Sequence, residues 1–150
     1  RAGAPQQLGV PGEDAPHVAY RLKEPEALKG QHVVVVGGGN SAVESALILA
    51  QDGQCASVSI SYRKPRFLRA RGDNRKAIEQ AIESGRVRAL VPSRVVSVGE
   101  RTLSLELDEE AGPRAITVPC EALIVQVGGT SPAQLLSSIG IELVTKYAER

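Results

Sequence analysis

Aromatic residues are scarce in this chain of 150 residues, which has one Phe, three Tyr and no Trp. Its core must therefore be aliphatic, as in buried parallel strands rich in Val and Ile. Methionine is absent even at position 1, so we expect the sequence to be a piece of a longer protein. The length is that of one ordinary domain, which can bury a core without disulfides or metals.

The sequence also lacks an excess of positive or negative charge, and it lacks long apolar runs. The 18 Lys and Arg residues nearly balance the 17 Asp and Glu residues. This balance gives no bulk electrostatic reason to expect nucleic acid or an anionic membrane as a partner. No apolar run approaches the roughly 20 residues of a membrane span, and no signal peptide is visible.

The sequence has only two cysteines, Cys55 and Cys120, which lie far apart. Their spacing fits neither a disulfide framework nor a zinc site, and two reduced thiols are typical of a cytoplasmic protein. The two histidines, His17 and His32, form no recognisable catalytic dyad. We therefore expect a cytoplasmic protein with no metal site and no catalytic acid–base pair in this chain.

The order of the predicted elements indicates an α/β domain. Residues 1–16 are rich in Pro and Gly and show no periodicity, which is typical of a linker. After a helical turn in residues 24–30, the predicted strands are 32–36, 57–62 and 87–91, and the predicted helices are 40–50 and 74–84. Asp73 is the expected N-cap of the second helix.

The pattern changes after residue 91. The segments RVVSVG, TLSLEL and RAITVP alternate between apolar and polar residues and predict three strands of an antiparallel meander. The run ALIVQVGG, residues 122–129, predicts another buried parallel strand, followed by a short helix in SPAQLLSSIG. The predicted fold class is α/β: a Rossmann-like parallel sheet with helices on one side and a three-stranded antiparallel β-meander insertion.

The first predicted strand runs into a glycine loop. Gly37, Gly39 and Ala42 form the pattern G-x-G-x-x-A between a strand of four valines and a helix. The first glycine permits a tight turn, the second lets the backbone approach a pyrophosphate, and the small third residue lets helix and strand pack closely. Asn40 and Ser41 stand at the helix N-terminus, whose N–H groups and dipole attract phosphate. The pattern predicts a dinucleotide site; a glycine turn without a ligand is the alternative.

The residues at the end of the second predicted strand indicate which dinucleotide the site binds. An NAD site usually has an Asp or Glu there to bind the ribose 2′-hydroxyl. The sequence has SISYRKPRFLRAR instead, with no acidic residue between Gln54 and Arg71. Guanidinium and ammonium groups bind a 2′-phosphate that a carboxylate would repel. NADPH is therefore the predicted ligand, with Tyr62 against the adenine; a solvated basic face is the alternative.

With both motifs in place, the chain resembles the NAD(P)H-binding domain of FAD-dependent pyridine nucleotide oxidoreductases of the thioredoxin reductase-like group. The resemblance rests on VVVVGGGNSAVESALILA, on YRKPRF and on ALIVQVGG, and LGVPGED is similar to the segment by which such chains leave the flavin domain. Unlike thioredoxin reductases, the sequence has no C-x-x-C before the glycine loop. It is most similar to members without that disulfide, such as ferredoxin–NADP reductases and bacillithiol-disulfide reductase-like proteins.

The resemblance implies a domain organisation and a set of binding residues. Residues 1–30 would be an exit segment from a flavin domain outside the chain, 31–141 the NAD(P)H-binding domain, and 142–150 a second exit segment. Three groups would hold the nucleotide: Gly37, Gly39, Asn40, Ser41 and Ala42 at the pyrophosphate, Arg63, Lys64 and Arg69 at the 2′-phosphate, and Gly128 and Gly129 at the end of the last strand. Glu44 matches the family's acidic position in the first helical turn, and pairing with the helix dipole explains it equally well.

The resemblance also implies a function. The domain would present NADPH for hydride transfer to FAD on another domain of the same protein, and electrons would go on to a separate acceptor, ferredoxin-like or a disulfide. The full-length protein would be a candidate homodimer. Because flavin-binding motifs are missing from the sequence, we expect the chain alone to be incomplete and inactive. Two alternatives stay open: a non-catalytic nucleotide-sensing module, and a methyltransferase-type domain, which the basic YRK disfavours.

Overall fold

A computed structural model describes residues 6–51 and 53–128, which form two sheets and two α-helices. The strands are β1 (Val18–Ala19), β2 (His32–Val36), β3 (Ser57–Ser61), β4 (Arg88–Leu90), β5 (Ser93–Val98), β6 (Thr102–Glu109), β7 (Gly112–Pro119) and β8 (Ala122–Val125). The α-helices are α1 (Asn40–Gln51) and α2 (Gly72–Glu83), and a 3₁₀ turn spans Pro25–Leu28. No helix in this part of the chain is long and apolar enough to cross a membrane.

Five strands form a parallel sheet in the order β1-β8-β2-β3-β4. β2 lies at its centre, with Val33 paired to Val58 of β3 and to Ala122 of β8. The four valines of β2 are all buried, as expected for a strand covered on both faces. The antiparallel sheet β5-β6-β7 is inserted in the chain between β4 and β8.

The two faces of the parallel sheet are covered by different layers. Val33 and Val35 belong to one hydrophobic cluster with α1 and α2, whereas Val34 and Val36 belong to a second cluster with the antiparallel sheet. Successive side chains of a strand point to opposite faces, which explains the alternation. The predicted fold class, with helices on one side and an inserted three-stranded meander, is confirmed.

Some element boundaries differ from the predicted ones. β1 is not predicted from the sequence because two residues carry no periodicity, and it forms by parallel pairing with β8. α2 begins at Gly72 with Arg71 as its N-cap, so the prediction of Asp73 as the N-cap is wrong. The Asp73 carboxylate instead lies in the first turn and accepts the N–H of Asn74 at 2.9 Å. The helix predicted in SPAQLLSSIG lies outside the described residues.

Candidate functional site

The glycine loop joins the carboxyl end of β2 to the N-terminus of α1. Gly37 has a φ of +140°, a conformation that L side chains rarely adopt. A Cβ at position 37 would also run into the backbone carbonyl oxygen of Gln126 and would lie 3.0 Å from the Cβ of Ala42. The Gly37 N–H donates to the carbonyl oxygen of Ser61 at 2.9 Å, which fixes the loop to β3. Packing therefore requires glycine at position 37 and a small residue at position 42.

Gly38 packs on Tyr62, whose ring would collide with any side chain at position 38. The Tyr62 ring stacks on that of Phe67, with centroids 5.5 Å apart and an interplanar angle of 18°. Tyr62 is only 6% exposed, so most of its surface supports the glycine loop and the core. The sequence does not predict this packing role, and contact of Tyr62 with an adenine stays a prediction.

Gly39 faces open space. Outside the neighbouring residues, the nearest heavy atom to a Cβ at position 39 is a guanidinium nitrogen of Arg69 at 3.9 Å. α1 begins at the next residue, Asn40; Ser41 is exposed, and Ala42 is buried against the sheet. The first N–H groups of a helix have no partner within it, and the helix dipole is positive at this end. An anion can therefore bind here against bare backbone.

Two side chains near the start of α1 connect it to α2. The Oδ1 atom of Asn40 accepts the N–H of Arg71 at 2.8 Å and the side-chain amide of Asn74 at 3.0 Å. The Oε2 atom of Glu44 accepts the same Asn74 amide at 2.9 Å and the Arg71 guanidinium at 3.2 Å. The first turn of α1 contains no acidic residue, so the prediction that Glu44 lies in that turn is wrong. Its carboxylate instead bridges the start of α1 to the start of α2.

The basic segment after β3, residues 63–71, contains cations in two kinds of surroundings. Arg66 and Arg71 form ion pairs with acidic side chains. Arg63, Lys64 and Arg69 are exposed, and none of the three has an ion-pair partner within residues 6–51 and 53–128. The three cations predicted to bind a 2′-phosphate are thus the ones whose charge is not already matched by a described neighbour.

A cavity of about 580 Å³ lies at the carboxyl ends of the parallel strands, the edge where open α/β sheets bind ligands. The predicted site residues that line it are Gly37, Arg63, Arg69, Tyr62 and Gly128. The other described residues of the predicted site do not line the cavity: Gly39, Asn40, Ser41, Ala42, Glu44 and Lys64. Gly129 lies beyond the described residues. The fold therefore brings predicted residues from three distant segments of the sequence to one cavity.

The lead-in segment, residues 6–20, contributes a wall of this cavity through residues 6–10, and the sequence does not predict this wall. Glu13 folds the segment, since its carboxylate accepts the N–H groups of Leu8 at 2.7 Å and Gly9 at 2.6 Å. The Tyr20 hydroxyl donates to the same carboxylate at 2.9 Å. Burial alone would raise the pKa of Glu13, but these hydrogen bonds outweigh burial and lower it. Burial and the bond to Glu13 raise the pKa of Tyr20 to about 12.

The antiparallel sheet contributes another wall through Ser93, Arg94 and Val95 at the start of β5. Ser93 is buried, and its hydroxyl oxygen lies 2.7 Å from that of Ser61 at the end of β3. Sequence reasoning misses this wall because the contact between β5 and β3 depends on tertiary packing. No pattern within the strand itself marks Arg94 as a site residue.

Cys120 is a buried thiol near the start of β8. Its Sγ lies 3.4 Å from the carbonyl oxygen of Ala122, and burial raises its pKa to about 11. The thiol is therefore protonated near neutral pH and is a poor nucleophile. Within the described ranges, no group of three or more His, Cys, Asp or Glu residues could hold a metal ion.

Comparison with known proteins identifies a family and several relatives of this chain. The family described as pyridine nucleotide-disulphide oxidoreductase matches residues 2–149. A ferredoxin–NADP reductase of Ignicoccus hospitalis is 33% identical over 144 residues, which cover 94% of this chain and 45% of that protein. Bacilliredoxin reductase Bdr of Bacillus subtilis is 30% identical over 147 residues, which cover 93% of this chain and 42% of that protein. The chain spans less than half the length of these relatives.

Solved structures share the fold as well. Bacillithiol disulfide reductase Bdr from Bacillus cereus superposes with a TM-score of 0.77 at 25% identity, covering 95% of this chain and 42% of that one. Thioredoxin reductase from Streptococcus pyogenes superposes with a TM-score of 0.71 at 23% identity, covering 92% and 45%. These matches confirm the predicted resemblance to the thioredoxin reductase-like group. The chain belongs to the pyridine nucleotide-disulphide oxidoreductase family.

Proposed function

We propose that this chain is the NADPH-binding part of a flavoprotein reductase. The observation that carries the proposal is the bare backbone at Gly39, at the N-terminus of α1, beside a cavity lined by Arg63 and Arg69. An NAD site would place an acidic residue near the end of β3, where this chain has Tyr62 followed by Arg63. This combination fits a pyrophosphate together with a further phosphate on the adenosine ribose.

The start of α1 would bind the pyrophosphate. The backbone N–H groups of Asn40, Ser41 and Ala42 would donate to its oxygens, because the first turn of a helix leaves such donors unpaired. Gly39 would let the phosphates approach the backbone, since no side chain occupies that space. The Asn40 side chain already holds α2, so its contribution to binding would come from its backbone.

The basic segment would bind the 2′-phosphate. Arg63 and Arg69 line the cavity, and Lys64 is exposed next to Arg63, so charge-assisted hydrogen bonds from these groups would favour NADPH over NADH. Gly128, which lines the cavity, would border the nucleotide, and the same role for Gly129 stays a prediction. NADPH supplies the hydride when bound, and the residues of this chain bind and orient it.

The flavin and the electron acceptor would lie outside this chain. We propose a flavin-binding domain elsewhere in the same protein, because the chain spans less than half of its named reductase relatives. The acceptor would be a ferredoxin-like protein or a disulfide, in keeping with the names of those relatives. A homodimer of the full-length protein, a cytoplasmic location and the absence of nucleic-acid and membrane partners stay predictions. A non-catalytic sensing module is the alternative, and a full-length gene without flavin-binding motifs would favour it.

Calorimetric titration of the chain with NADPH and with NADH tests the proposal. We expect tighter binding of NADPH, and we expect the Arg63→Ala/Lys64→Ala double variant to weaken NADPH binding by about 10- to 100-fold while changing NADH binding little. The matched control is Lys23→Ala/Lys29→Ala, which removes the same charge from exposed residues that do not line the cavity. Equal affinity of the unmodified chain for both nucleotides would refute the 2′-phosphate assignment.

A further inference from the structure

We propose that Arg94, at the start of β5, is a further residue that binds the 2′-phosphate of NADPH. The inference rests on the proposed function, because it concerns the same ligand at the same cavity. It adds the antiparallel insertion to the binding site, so that nucleotide preference would depend on this insertion as well as on the basic segment after β3.

Two contacts place Arg94 beside Arg63. The N–H of Ser93 donates to the carbonyl oxygen of Tyr62 at 2.8 Å, and the Ser93 hydroxyl lies 2.7 Å from the Ser61 hydroxyl. Both serines are buried, so the start of β5 is fixed against the end of β3. Arg94 directly follows Ser93, and Arg63 directly follows Tyr62. The two arginines therefore leave the backbone from neighbouring positions at the same edge of the sheet.

The charges around the cavity favour an anion. Arg94 lines the 580 Å³ cavity together with Arg63 and Arg69, and no acidic residue is among the described residues that line it. Arg63 and Arg94 also line a smaller cavity of about 260 Å³, to which Glu106 and Asp108 contribute. The carboxylates on that side would repel a phosphate. The phosphate is therefore expected in the larger cavity, between three guanidinium groups.

Arg94 forms an exposed ion pair with Glu106, and this pair leaves its guanidinium able to bind a phosphate. One guanidinium nitrogen of Arg94 donates to Glu106 Oε1 at 2.7 Å, while the Arg94 side chain is 67% exposed. A guanidinium has five N–H donors, so it can hold one carboxylate oxygen and still donate to a phosphate. Ion pairs this exposed contribute little stability, so reorienting Arg94 toward a phosphate would cost little.

The test measures NADPH and NADH binding by calorimetry on the chain and its Arg94→Gln variant. We expect Arg94→Gln to weaken NADPH binding by about 5- to 20-fold and to leave NADH binding within about twofold, since only NADPH carries the 2′-phosphate. Arg114→Gln is the matched control: Arg114 lies in the same sheet, pairs with Glu109 at 2.9 Å and does not line the cavity. An equal loss of both nucleotides, or no loss of either, would overturn the proposal.

The Glu106→Gln variant tests whether Arg94 acts through its charge on the phosphate or through its ion pair with Glu106. This variant breaks the ion pair but keeps Arg94, so NADPH binding should be unchanged or tighter. If the pair acted only by holding β5 to β6, Glu106→Gln would weaken NADPH binding as much as Arg94→Gln does, which would overturn the proposal. Arg94→Lys, which keeps the charge, should restore most of the preference. If the unmodified chain does not prefer NADPH, the proposed function fails; if it does and only Arg94→Gln is without effect, this inference alone fails.

Discussion

Gly39→Ala and Gly37→Ala form a pair of substitutions that separates binding from folding. At position 39 the backbone has no positive φ, and a new methyl group would meet only the Arg69 guanidinium at 3.9 Å, an ordinary contact distance. At position 37 the backbone has a φ of +140°, and a methyl group would collide with the Gln126 carbonyl oxygen. The same chemical change therefore meets open space in one case and protein backbone in the other.

The structure gives opposite expectations for stability and for binding. Gly39→Ala should leave the free energy of unfolding unchanged or raise it by up to about 1 kcal/mol, because alanine restricts the unfolded chain. It should weaken NADPH binding by about 10- to 100-fold, since a methyl group in the approach path separates the pyrophosphate from one or two of its N–H donors. Gly37→Ala should lower the free energy of unfolding by about 2–4 kcal/mol through backbone strain and overpacking.

Urea unfolding and NADPH titration of both variants measure the two quantities independently. A Gly39→Ala chain that is as stable as the unmodified chain but binds NADPH weakly would support the pyrophosphate assignment. A Gly39→Ala chain that binds NADPH with unchanged affinity would refute it. A Gly39→Ala chain destabilised as much as Gly37→Ala would refute the claim that space is open at position 39.

Two further predictions concern the lead-in segment and the buried thiol. Glu13→Gln should lower the free energy of unfolding by about 2–4 kcal/mol, because an amide cannot accept all the hydrogen bonds of the carboxylate. Folding lowers the pKa of Glu13, so the stabilisation by its carboxylate is present above pH 4.5 and is lost as the pH falls through the lowered pKa. The free energies of unfolding of the unmodified chain and of Glu13→Gln should therefore converge in acid, and a difference that stays constant with pH would contradict this assignment. Cys120, with a pKa of about 11, should react with a thiol reagent at pH 8 only after the chain is denatured, and rapid labelling of the native chain at this position would contradict its burial.

The sequence by itself was sufficient to predict the features that depend on residues close together along the chain. The four valines of β2 indicate a strand covered on both faces, and Gly37 and Gly39 indicate the turn into α1, because strand, turn and helix signals lie within a few residues of one another. The same holds for the alternating strands of the antiparallel sheet. The fold class follows from the order of these elements, and the structure confirms it.

Tertiary structure decided the features that join residues far apart in the sequence. β1 forms only because β8 offers it a partner, and Glu44 serves to hold Arg71 because α2 packs on α1. Glu13 belongs to a segment without periodicity, and its role comes from the donors that fold around it. Arg94 stands next to Arg63 because two buried serines fix β5 to β3. Such contacts have no local pattern, since what creates them is the packing of one element on another.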